Sequence, residues 1–221
     1  MDGRGRAKSK IAPEKVIDYQ GVLSVVRGLC RPGQRAIVGI AGAPGAGKST
    51  LANEISAALS GLAVVVPMDG FHLAQAELER LGLTGRKGAP ESFDAGGYLA
   101  LLRRLRNPEG EGIIYGPTFD RDLEEPIAGS IAIPPDVPLV ITEGNYLLSD
   151  APVWTNIRPL LDECVWIDCD PVERRERLVA RHVQFGKSTD KARDFVEQSD
   201  ELNAELVQRD RHRASLVVRP T

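Results

Sequence analysis

The sequence predicts an α/β protein in three layers, α/β/α, with a mainly parallel sheet between two sets of helices. Three observations predict it. Ala36–Ala41 (AIVGIA), Leu62–Met68 (LAVVVPM), Pro138–Thr142 (PLVIT) and Cys164–Asp168 (CVWID) are short apolar runs of strand length. They lack polar alternation, which marks strands covered on both faces. Helical patterns separate them, as strand–helix–strand units require. With 42% hydrophobic and 27% charged residues over 221 positions, the chain has enough apolar sequence for one packed core.

The elements follow in order. Residues 1–12, with Arg4, Arg6, Lys8 and Lys10, read as a disordered basic leader. Residues 13–221 read as a single domain. Positions 13–29 space Val16, Tyr19, Leu23, Val26 and Leu29 as a helix, broken by Arg31-Pro32-Gly33. The first apolar strand, a glycine-rich turn and a helix over Ser49–Leu59 come next. The second strand carries Pro67 near its end, where a missing donor is tolerated. Residues 74–135 are irregular, with a helix at Tyr98–Arg106 and a short strand around Ile113–Tyr115. Helices over Val172–Gln184 and Lys191–Arg209 and a strand over Ser215–Val218 complete the chain. No repeat or low-complexity linker divides it.

Composition excludes several classes. A net charge of −3 gives no electrostatic footprint for nucleic acid. Trp154 and Trp166 read as core residues rather than a stacking platform. No apolar stretch suits a signal-peptide core or a membrane span, so a cytoplasmic protein without membrane partners is expected. Cys30, Cys164 and Cys169 are odd in number and lack CxxC spacing, the pattern of buried thiols in a reducing compartment. A homodimer is left open.

Residues Gly42, Ala43, Pro44, Gly45, Ala46, Gly47, Lys48 and Ser49 satisfy G-x-x-x-x-G-K-[ST], followed by Thr50. Backbone N–H groups must turn inward around phosphate oxygens, which demands glycine. Lys48 adds a point charge on the β- and γ-phosphates, and the Ser49 hydroxyl suits Mg²⁺. A strand before and a helix after complete the context, predicting a P-loop NTPase fold that binds a nucleotide.

Ligands of an open parallel sheet bind beyond the carboxyl ends of its strands. Asp69 follows the second strand, and Glu143 follows PLVIT. Transfer of a phosphoryl group to an alcohol needs a carboxylate to take the hydroxyl proton, and an acidic anchor for Mg²⁺. Asp69 suits the first role and Glu143 the second. Asp168 competes for the metal but leads into Asp170-Pro171 and is expected to cap the next helix.

In this order, GAPGAGKST, MDGFHL, RKGAPESFD, YGPTFDR and TEGNYLL resemble the uridine kinase, phosphoribulokinase and bacterial pantothenate kinase superfamily. Proteins described as fructose transport system kinases are especially similar. The resemblance spans about Gly33 to Arg209. It implies a kinase with a helical lid that uses ATP and Mg²⁺ on a small-molecule acceptor. It gives Asp69 as the base and Glu143 as the acidic residue near Mg²⁺. It puts His72, Phe93, Asp94, Tyr115, Arg121 and Asn145 on the acceptor side. Gly116–Asp120 departs from the His-containing stretch of uridine and pantothenate kinases, so the resemblance does not carry their acceptors over.

Arg174, Arg177 and Arg181 share one helix face. Arg177 and Arg181, with Lys187 near the Gly186 turn, suit a lid over the triphosphate; a solvated face paired with Glu173 and Glu176 is the alternative. His182 is expected on the helix surface. Arg86, in a short basic loop, suits an anionic acceptor, and a plain solvated turn fits equally. The competing function is a nucleotide-dependent regulatory switch, although no N-K-x-D guanine-reading motif is present. A non-catalytic nucleotide holder is the third reading.

Overall fold

The computed structural model describes residues 15–31 and 33–219, so the basic leader lies outside the described residues. In chain order the elements are β1 (Lys15–Ile17), α1 (Tyr19–Leu29), β2 (Ala36–Ala41), α2 (Lys48–Ala58), β3 (Ala63–Pro67), α3 (Gln75–Arg80), α4 (Ala95–Arg106), β4 (Ile114–Asp120), β5 (Glu125–Ile133), β6 (Leu139–Gly144), β7 (Glu163–Ile167), α5 (Pro171–Gln184), α6 (Thr189–Phe195), α7 (Glu201–Gln208) and β8 (Leu216–Val218).

Six strands form one parallel sheet in the order β1-β8-β7-β2-β6-β3. Helices cover both faces, as doubly apolar strands require. Ala36, Val38 and Ile40 of β2 pack with Val22 and Val26 of α1 and Leu51 and Ile55 of α2. Ile37 and Ala41, pointing the other way, join Leu102 and Leu105 of α4 and Val207 of α7. Trp154 and Trp166 are buried in this second cluster. Asp162 ties the layers together: its Oδ2 accepts from Ile37 N at 2.8 Å, and its Oδ1 accepts from Arg106 Nη2 at 2.7 Å.

The structure corrects several expectations. The leading helix begins at Tyr19, because Asp18 caps it and Lys15–Ile17 pair in parallel with β8 instead. The strand near Ile113 runs on to Asp120 and pairs antiparallel with β5, forming a ribbon apart from the main sheet. The long final helix is interrupted by a π-helical turn over Val196–Asp200. Only Cys164 of the three free cysteines is fully buried. Asp170, not Asp168, caps α5; Asp168 instead pairs with Arg211 and Arg219.

Candidate active site

The loop between β2 and α2 is shaped by glycine. Gly45 has φ +77°, and a Cβ there would lie 2.7 Å from Leu178 Cγ and 2.9 Å from the Arg174 carbonyl oxygen. A side chain would therefore force the loop off α5. No side chain caps the first amides of α2, whereas aspartates cap α1, α4 and α5. The uncapped amides and the positive end of the helix dipole suit an anion. Lys48 Nζ donates to the Gly42 and Ala43 carbonyl oxygens at 3.1 and 3.0 Å and to Asn145 Oδ1 at 2.7 Å. Burial pushes this ammonium down to about 8, against the pull of Glu143 and Asp69.

Strand order brings the carboxylates to the loop. In β6, Glu143 stands opposite Ile40 of β2 on one side and Pro67 of β3 on the other. Three neighbouring strands thus end flush, and Asp69 lies two residues beyond Pro67 in a single 3₁₀ turn. Glu143 Oε1 accepts from Ser49 Oγ at 3.0 Å. Burial, helped by the Asp69 charge, pushes the Glu143 carboxyl up to about 7. Burial also acts to raise Asp69, but His72, Arg121 and Lys48 outweigh it and hold that carboxyl below its ordinary value. Arg121 Nη2 lies 2.8 Å from Asp69 Oδ2.

One cavity of about 660 Å³ joins these groups. Pro44, Gly45, Gly47, Lys48, Ser49, Thr50, Asp69, His72, Phe93, Arg121, Glu143, Asn145, Arg177, Arg181 and Lys187 line it. Gly42, Ala43 and Ala46 stand behind the lining as loop backbone, the first two through their bonds to Lys48. Arg177 is held by Glu173 at 3.0 Å, while the Arg181 guanidinium makes no hydrogen bond or ion pair among the described residues. An ionised carboxylate, an uncapped helix terminus and unpaired cations in one concavity can bind a polyphosphate and accept a proton from a nearby hydroxyl.

Other expected residues fall elsewhere. Arg86 pairs with Glu91 at 2.6 Å outside the cavity, so its neighbour Lys87 is the basic-loop residue that faces in. Asp94 spends its carboxylate on Gly97 N as the cap of α4. Tyr115 is exposed on β4. Arg174 is buried, with its guanidinium on the Pro44 carbonyl and Glu201. His182 is not a free surface residue: its Nε2 bonds Asp200 Oδ2 at 2.8 Å and it lines the cavity. Sequence reasoning missed Asp200 and Asn203, which come from a distant segment with no motif of its own; Lys87 and Phe119 lie within the RKGAPESFD and YGPTFDR stretches, where Arg86 and Arg121 are the expected site residues.

A Cβ on Gly70 would lie 2.5 Å from the Pro117 carbonyl oxygen, so the β4–β5 ribbon rests directly on the turn that bears Asp69. The ribbon also supplies Phe119, whose ring is covered by Arg121 at 5.5 Å and Lys87 at 5.2 Å.

No family model matches the chain. The uridine kinase-like protein C227.14 of Schizosaccharomyces pombe is 30% identical over 209 residues, covering 90% of this chain and 88% of that protein. The ATP-dependent kinase-like protein notR' of Aspergillus versicolor is 32% identical over 152 residues, 65% of this chain and 88% of its own. The crystal structure of a fructose transport system kinase-like protein from Silicibacter sp. TM1040 superposes with a TM-score of 0.82 at 37% identity, over 91% of this chain and 98% of that one. Sheet order, phosphate loop and relatives agree: the chain belongs to the P-loop kinase superfamily and is an ATP-dependent small-molecule kinase.

Proposed function

We propose that this kinase transfers the γ-phosphate of ATP to a hydroxyl group of a small metabolite, with Asp69 as the base. One observation carries the reading: Lys48, Glu143 and Asp69 come from three adjacent strand ends and line one cavity. The loop amides and Lys48 hold the phosphates. Asp69, ionised because neighbouring cations outweigh its burial, orients the acceptor hydroxyl and takes its proton as the oxygen attacks phosphorus. The leaving ADP carries away the bridging oxygen. Arg181, without a partner among the described residues, and Arg177 meet the charge on the transferred phosphoryl group from α5.

Ser49 and Glu143 would hold Mg²⁺. The donor set fits: an alcohol oxygen and a carboxylate oxygen stand 3.0 Å apart. Among the described residues no group of three His, Cys, Asp or Glu is arranged to cage a metal. Two hard oxygen ligands are what Mg²⁺ takes from protein when phosphates and water complete its shell. Bound there, the ion would neutralise charge on the β- and γ-phosphates.

The relatives are named for different acceptors, uridine, fructose and pantothenate among them, so the names do not select one. The cavity does run past Asp69 to His72 and Phe93, space that a regulatory switch without an acceptor does not need. The reading is tested by following ADP release across a panel of hydroxyl-bearing metabolites, with Asp69→Asn beside the natural chain. An acceptor should stimulate turnover, and Asp69→Asn should lower it roughly 10²- to 10⁴-fold with ATP binding retained. Undiminished transfer by Asp69→Asn would remove Asp69 from the chemistry.

A further inference from the structure

We infer that Asn203 of α7 is a specificity-determining residue whose carboxamide hydrogen-bonds a non-aromatic, polyhydroxylated acceptor, a sugar or polyol; the inference rests on the transfer proposed above. Asn203 is 93% buried, being 7% exposed, and lines the cavity. Its amide makes no hydrogen bond to any described residue. A carboxamide offers two donor hydrogens and an acceptor oxygen, and here no described residue takes them, so they are open to whatever fills the cavity. Held on a mostly buried residue at the cavity wall, the carboxamide is positioned to bond a ligand there.

Its position fits the acceptor end. Asn203 Nδ2 stands 3.8 Å from where a Cβ on Gly88 would lie, next in sequence to Lys87, which lines the same cavity. Two residues before Asn203, in the same first turn of α7, Glu201 ties to Arg174, which bonds the Pro44 carbonyl of the phosphate loop. The first turn of α7 therefore stands beside Gly88 of the 84–93 segment and is anchored through Arg174 to the donor loop. The π-helical turn just before α7 inserts a residue and aims Asp200, also 7% exposed, at the same cavity. Asp200 and Asn203, three apart, share one helix face.

The rings beside Asp69, those of His72, Phe93 and Phe119, argue against a planar acceptor there. Phe93 packs on His72 at 4.0 Å, and the other face of that cluster closes on Phe119 at 4.8 Å. Phe119 is further covered by Lys87 and Arg121. These three rings are engaged with one another and with cations, so a nucleobase beside Asp69 finds little open face for stacking. Phe185, without a ring partner among the described residues, lines the cavity from the end of α5. Hydroxyl groups need only the carboxamide and carboxylates that remain.

The test measures ADP release at saturating ATP with D-fructose, D-ribose, glycerol, uridine and pantothenate, for the natural chain, Asn203→Ala and Asn203→Ser. Thermal melting checks the fold of each variant, and titration with ATP checks the donor side. The expected result is stimulation by a sugar or polyol. Asn203→Ala should then lower kcat/KM for it at least tenfold, chiefly through KM, with the Kd for ATP within twofold and Asn203→Ser between the two. A sugar or polyol whose kcat/KM is unmoved in both folded variants overturns the role of Asn203. Stimulation by uridine or pantothenate alone overturns the acceptor class while the kinase reading stands. If no compound stimulates turnover, the acceptor class falls and the proposed transfer falls with it.

Discussion

Arg121 Nη2 lies 2.8 Å from Asp69 Oδ2, so the carboxylate proposed as base is met by a guanidinium from outside the main sheet. The pair helps hold Asp69 ionised. Removing the cation in Arg121→Met should raise the Asp69 pKa. Because the base acts as the anion, the acid limb of the kcat/KM profile should move to higher pH. A profile that stays in place would show that Arg121 does not tune the base.

Glu143 gives a second pH signature. Its folded-state value of about 7 exceeds the ordinary 4.5, so between these values the folded chain binds more protons than the unfolded one. Stability from this group is then fully present below about pH 4.5 and lost as pH rises through 7. Glu143→Gln, uncharged at every pH, should raise Tm of the ligand-free protein more at pH 8 than at pH 5. Equal shifts at the two values would exclude a buried ionising Glu143.

Gly45 is the loop position least able to take a side chain. Its φ of +77° and the 2.7 Å approach to Leu178 predict that Gly45→Ala displaces the loop from α5. ATP affinity should fall at least tenfold by isothermal titration. Retained affinity would mean that the loop adapts.

Asp162 is expected to matter for stability alone. Asp162→Ala leaves the Ile37 amide and Arg106 without their carboxylate, at a cost of about 1–3 kcal/mol. Tm should fall by roughly 2–10 °C for a domain of this size. Burial raises the Asp162 carboxyl, but its bonds to Arg106 and Ile37 N outweigh that and depress it below 3.8. Its contribution is therefore present above about pH 4 and disappears as pH falls through the depressed value. A melting temperature equal to that of the natural chain at pH 7 would refute the tie.

The strands that could be read from sequence are those enclosed on both faces. β2, the 139–141 part of β6 and the 164–167 part of β7 are apolar runs because helices cover them above and below. β5 was not legible: Glu125–Ile133 is largely exposed and lies in a ribbon apart from the main sheet, so no burial pattern marks it. β1 is three residues at the sheet edge, and its parallel partner lies some 200 positions away. The site divides in the same way. Lys48 and Ser49 sit in a motif whose geometry is local, and Glu143 follows from where its strand stops. Asn203 reaches the cavity only through the packing of a distant helix and the π turn before it, neither of which neighbouring residues encode.

The missing side chain at Gly70 makes the ribbon a lever pivoted on the turn of the proposed base. Exchanging its tip would re-aim Arg121 and Phe119 while the six-stranded sheet stays whole. Residues 114–133 are thus a natural cassette for engineering a new acceptor preference onto an unchanged ATP-driven scaffold.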